Sequence, residues 1–114
     1  MPNKPHAVDS TFHALADPTR CAVVRALSQG NATVSDLARP FDMALPSFTQ
    51  HLGVLENAGL IVSWREGRSR VCALNAGALR DAEDWMATAR REWEARMDRF
   101  ETHIHKMKKE SSDD

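Results

Sequence analysis

The last third of this chain carries an apolar row too long for a small body to cover. Leu79, Ala82, Met86, Ala89, Trp93, Met97, Phe100, Ile104 and Met107 follow one another at spacings of three or four. That rhythm stacks side chains along one stripe of a helix and predicts a single helix from about Gly77 to Met107. A chain of 114 residues normally makes one domain with a modest core. A row sustained over about 30 residues therefore needs a cover from outside that core. The simplest cover is a second copy of the chain, since most soluble oligomers are symmetric homo-oligomers. Trp85 flanks the row, and Trp85 and Trp93 read as packing residues rather than as a ligand box.

Composition narrows the class without naming a partner. Hydrophobic residues make up 42% and charged residues 27%, ordinary values for a soluble globular protein, and the net charge is −1. No apolar run reaches the roughly 18 residues that a spanning helix needs. The start, "MPNKPHAVDS", lacks the apolar segment of a signal peptide. The expected location is the cytoplasm, with no membrane partner. Cys21 and Cys72 are too few for a disulfide framework.

Residues 1–9 are polar and, like the charged tail 108–114, are expected to be flexible. Between them the helix signals are specific. Thr11–Leu15 reads as a short helix. In "ADPTR", Asp17 can cap a second helix, and Pro18 suits its first position, where a missing N–H costs nothing. That helix carries Val23, Val24 and Leu27 and ends near Gly30. In "TVSD", Thr33 and Asp36 have capping-box spacing, opening a third helix that runs to about Phe41. In "LPSFTQHLGVLENAGLI", Leu45, Phe48, Leu52 and Leu55 form one apolar stripe. Gly59 suits the left-handed position after that helix, and Leu60 can fold back onto it. "IVSWREGRSRVCAL" predicts a hairpin of two short strands around Gly67, with Trp64 packing on it.

Two helices joined by a tight turn, followed by a hairpin, make a winged helix-turn-helix. The fold expected is mostly α with this small β-hairpin: a winged helix-turn-helix over 10–76 and a long terminal helix over 77–107 in the same domain. At 100° per residue, Gln50 lies opposite the centre of the apolar stripe. Pro46, Ser47, Gly53, Val54 and Asn57 fall around it, while Thr49 and His51 flank the stripe.

"FHALADPTRCAVVRAL", "TVSDLARPFDMALPSFTQHLGVLENAGLI" and "WREGRSRVCALN", in this order, resemble the ArsR/SmtB family of winged-helix repressors. The resemblance covers about residues 12–75, and the Trp-rich final helix is similar to one branch of the family. It implies a homodimer joined through the first and last helices. Phe12, Leu15, Trp85, Met86, Ala89, Trp93, Met97, Phe100 and Ile104 would supply that interface. It also implies a recognition helix in the major groove of double-stranded DNA, a wing on phosphates or the minor groove, and repression of transcription. By motif position Ser47, Thr49, Gln50 and His51 match the family's DNA-facing residues, with Pro46 beside them. Arg65, Arg68 and Arg70 match its wing.

Chemistry agrees with these roles. Gln can bond N6 and N7 of adenine together, and Ser and Thr can reach bases or phosphates. Arginines around Gly67 suit phosphates or a narrow minor groove. Other features pull the opposite way. Residues 45–58 contain no Lys or Arg, Gly53 stands where relatives often carry a basic residue, and Ala44 stands where they often have a capping serine. These leave open an alternative, a winged-helix protein-interaction module without specific DNA binding. His51 is either a DNA contact or a hydrogen-bonded structural residue.

The metal-sensing cysteines of many relatives are missing from "TVSDLA". His103 and His105, two apart, point to nearly opposite helix faces. Neither a metal site nor a cofactor is expected. A thiol switch at Cys21 or Cys72 would need an exposed, low-pKa sulfur. No Gly-rich phosphate loop, nucleophile elbow or paired-carboxylate arrangement suggests an enzyme. An effector, whether small molecule or protein, is left unspecified.

Overall fold

In the computed structural model, which describes residues 7–112, eight elements follow in order: α1 (Ala7–Leu15), α2 (Pro18–Leu27), β1 (Ala32–Thr33), α3 (Val34–Ala38), α4 (Leu45–Asn57), β2 (Ile61–Glu66), β3 (Ser69–Leu74) and α5 (Ala76–Ser112). Local chemistry sets most of the boundaries. Asp17 has an extended backbone, and its carboxylate accepts the Arg20 N–H at 3.0 Å, with Pro18 opening α2 behind it. Thr33 Oγ1 accepts the Asp36 N–H at 3.1 Å and opens α3. The reciprocal half of the anticipated capping box is replaced by an exposed Asp36–Arg39 pair at 2.9 Å. α3 stops at Ala38, short of Phe41, because Pro40 cannot continue the ladder.

The helix-turn-helix and its hairpin are mostly α with a small antiparallel sheet, as expected. The sheet has three strands in the order β1-β3-β2. β2 and β3 pair from Ile61↔Leu74 to Glu66↔Ser69, leaving Gly67 and Arg68 as a two-residue turn. Gly67 has φ 63°, the positive value that a type II′ hairpin turn takes at its first central position. β1, which sequence reading left out, adds Ala32↔Cys72 and Thr33↔Val71.

One core unites these elements. Ala14, Val23, Val24, Leu27, Leu37, Phe48, Leu52, Leu55, Leu60, Ile61 and Cys72 are buried together. Burying each large aliphatic or aromatic side chain stabilises the fold by roughly 1.5–3 kcal/mol. Phe41 and Phe48 stack at 5.4 Å between ring centroids with a 32° tilt.

Three sequence expectations about extent are corrected. α1 begins at Ala7, so residues 7–9 are helical, and Val8 is buried; residues 1–6 and 113–114 lie outside the described residues. The body runs past residue 76, through Ala82, because Ala78 and Leu79 pack on the core and Ala82 is buried. Glu83 onward forms a second unit. α5 continues to Ser112 rather than ending near Met107; "KMKKE" is made of good helix formers and carries no breaker.

Candidate nucleic-acid interface

α4 owes its placement to its stripe and its two ends. Phe48 and Leu55 are fully buried and Leu52 nearly so. Leu45, expected in the same stripe, is the first residue of the helix and is 57% exposed, while Phe48, three positions on, is the first to enter the core. At the N-terminus Ala44 has the extended backbone of a cap residue but makes no side-chain cap bond. At the C-terminus Gly59 (φ 77°) donates to Glu56 O at 3.0 Å, and Leu60 donates to Leu55 O at 3.0 Å. These two bonds make a Schellman motif, with Leu60 folded back and buried. Asn75 then ties this end to the start of α5: its amide donates to Gly59 O at 2.8 Å, and its Oδ1 accepts the Gly77 N–H at 3.3 Å.

With the stripe turned inward, Pro46, Ser47, Thr49 and Gln50 are exposed, as is Asn57 further along. Gly53 interrupts this outer side, and a Cβ there would meet open space. His51 is half-buried and is held from below. Arg20 donates from a guanidinium nitrogen to His51 Nδ1 at 3.1 Å, and Asp17 Oδ2 lies 3.7 Å from the same nitrogen. Arg20 also donates through Nε to Ala14 O at 2.7 Å and through its other terminal nitrogen to His13 O at 3.4 Å. The Arg20 N–H holds the Asp17 carboxyl below its ordinary pKa; partial burial opposes this, and the nearby Arg20 guanidinium adds to it.

The hairpin presents Arg65, Arg68 and Arg70, all exposed. Their situations differ. Arg70 donates to Ser63 Oγ at 2.8 Å, and Ser63 donates onward to Glu56 at 2.6 Å, joining the wing to the last turn of α4. Arg65 stands directly across the ladder from Arg70. Facing like charges destabilise a strand pair. Trp64, opposite Val71, is partly exposed on the other sheet face.

Sequence reasoning named the outward residues and the Asp17 cap but missed the reach of Arg20 to His51 and the Glu56–Ser63 link. A charged residue in the first turn of α2 and a serine in a strand carry no local sign of such partners.

The remaining candidates fall as follows. Phe12 and Leu15 are half-buried, and Leu15 packs against the core. In the second unit Trp85, Met86, Trp93, Met97 and Phe100 are exposed, Trp93 at 57% and Phe100 at 56%, while Ala89 and Ile104 are half-exposed. Cys72 is buried, and that burial raises its thiol pKa. Cys21 is half-buried and donates to Leu15 O at 2.8 Å. Among the described residues, no group of three or more His, Cys, Asp or Glu could hold a metal ion, and no helix is long and apolar enough to cross a membrane.

Comparison with known proteins agrees with this architecture. A helix-turn-helix domain model matches residues 15–63. The transcriptional repressor SdpR of Bacillus subtilis (strain 168) is 34% identical over 79 residues, covering 69% of this chain and 88% of the relative. The HTH-type transcriptional regulator Rv2034 of Mycobacterium tuberculosis (strain ATCC 25618 / H37Rv) is 39% identical over 71 residues, 62% of this chain and 66% of that protein. Among solved structures, the ArsR family transcriptional regulator RHA00566 superposes with a TM-score of 0.75 at 48% identity, over 78% of this chain and 98% of that one. A buried stripe under an outward-facing helix, an arginine-bearing hairpin beside it and these relatives together make the chain a DNA-binding transcriptional regulator of the ArsR/SmtB winged-helix family.

Proposed function

We propose that this regulator represses transcription in the cytoplasm as a homodimer and has no catalytic activity. In this reading Ser47, Thr49 and Gln50 of each chain read bases in the major groove, with Pro46 at the groove edge. Arg65, Arg68 and Arg70 contact phosphates or the minor groove. Phe12 and Leu15 of α1 join Trp85, Met86, Ala89, Trp93, Met97, Phe100 and Ile104 of α5 in holding the second copy. Two such helices about a two-fold axis reach successive major grooves roughly 34 Å apart, so the operator is an imperfect palindrome. Bound there, the dimer excludes polymerase.

The observation that carries this reading is the outward set Ser47, Thr49 and Gln50 on a helix whose opposite side buries Phe48, Leu52 and Leu55 in the core. Specificity falls to these uncharged side chains, and affinity falls to the wing arginines and to pairing. Titration of the chain against its own upstream DNA at two salt concentrations tests this. Counterion release makes operator affinity fall steeply with salt. Gln50→Ala should change base preference at one position of each half-site. Arg68→Ala should weaken all sequences alike and reduce the salt slope by about one. Binding to upstream DNA no tighter than to random duplex would instead favour a protein-interaction module, the reading suggested by the lack of Lys and Arg across residues 45–58.

A further inference from the structure

We propose that Arg20 is a positioning residue for the DNA-reading helix, and that His51 is its acceptor on that helix rather than a base contact. The inference rests on the reading that α4 recognises DNA, and it goes further by assigning what fixes that helix in place.

Arg20 begins on α2, yet its guanidinium reaches two other helices. It donates to Ala14 O and His13 O in the last turn of α1, where helix carbonyls lack intrahelical partners. From the same planar group it donates to His51 Nδ1 at 3.1 Å. Its own backbone N–H is taken by Asp17, which fixes the backbone from which the side chain starts. Because Nδ1 accepts this bond, the imidazole proton sits on Nε2 and the ring is held at one edge.

The consequence for α4 follows from the nature of the contacts. Phe48, Leu52 and Leu55 give the helix most of its binding energy, but apolar burial is non-directional and tolerates small slides and rolls. Hydrogen bonds to base edges do not, because they weaken steeply with misalignment. Ser47 and Gln50 need a directional restraint, and the Arg20–His51 bond lies within one turn of both. It refers α4 to the end of α1.

Four full-length proteins test the proposal: wild type, Arg20→Gln, His51→Asn and His51→Gln. Each is titrated against the upstream duplex and a random duplex at two salt concentrations. Asn places an amide near the position of Nδ1 and can still accept from Arg20; Gln places its amide near Nε2. Arg20→Gln and His51→Gln should lower the preference for operator over random duplex about tenfold, the scale of one base contact. Binding to random duplex and its salt slope should not change. His51→Asn should keep the preference of wild type, whereas a merely structural role would not distinguish it from His51→Gln. The proposal is overturned if Arg20→Gln weakens both duplexes equally with a shallower slope, since Arg20 is then a phosphate contact. It is also overturned if Gln preserves preference and Asn abolishes it, since His51 then reads DNA through Nε2. If Arg20→Gln does not fold, the two His51 variants decide alone. A wild type with no preference removes the reading of α4 itself, and this inference with it.

Discussion

Ala44 occupies a cap position with the right backbone and the wrong side chain. Its φ and ψ of −65° and 145° are those of a cap residue, but a methyl group cannot accept from the first turn of α4. Ala44→Ser should stabilise the protein by about 1 kcal/mol. Gly53, in the middle of the same helix with open space at its Cβ position, gives a second test. Gly53→Ala should add roughly 0.5–1 kcal/mol by restricting the unfolded chain. Each kcal/mol corresponds to about 4–8 °C in Tm for a domain near this size, so calorimetry resolves both. No gain from Ala44→Ser would show that the Ser47 N–H already has an equivalent partner. Caps at Asp17 and Thr33 and the stop at Gly59 were legible because each involves residues within a few positions of one another. The Arg20–His51 bond spans 31 positions, and no local pattern announces a contact of that separation.

At the scale of elements, periodicity and cap signals recovered all five helices and the hairpin, while their edges and the two-residue β1 escaped. β1 has only two residues, too few to alternate, and exists because β3 offers a free edge beside it. Leu45 fits the stripe by angle but opens the helix exposed to solvent, a distinction that angle alone does not make. The junction between α1 and α2 carries a pH dependence of known sign. Asp17 titrates below its ordinary value in the folded chain because the Arg20 N–H favours the carboxylate. The stability it contributes is fully present above the ordinary carboxylate pKa of about 3.9 and is lost as pH falls through and below it. Between about pH 5 and pH 3, wild type should therefore lose more stability than Asp17→Asn in urea titrations. Parallel losses would show that Asp17 gains nothing from its cap in water.

For the molecule as a whole, the length of the apolar row was legible and the place where the body ends was not. Leu79 and Ala82 belong to the core, while Trp93 and Phe100 in the same row stand open to solvent. Under the proposed dimer these open members are the seam. Trp93→Glu combined with Phe100→Glu should give a monomer by light scattering, with the body still folded by circular dichroism, since neither side chain belongs to its core. A dimer of unchanged mass would move the seam elsewhere. The outward residues of α4 were legible from one rotation rule applied to one stripe. The anchors beneath them needed the fold, because they come from α1, α2 and the wing.

The Arg65–Arg70 pair sets two like charges side by side on one face of the hairpin. Their backbones pair directly across the ladder, and Ser63, itself bonded to Glu56, engages only the one on β3. Of the two facing arginines only Arg70 has partners among the described residues of the protein, so under the proposed DNA contact Arg65 is the one whose guanidinium comes to a phosphate with no protein hydrogen bond to give up.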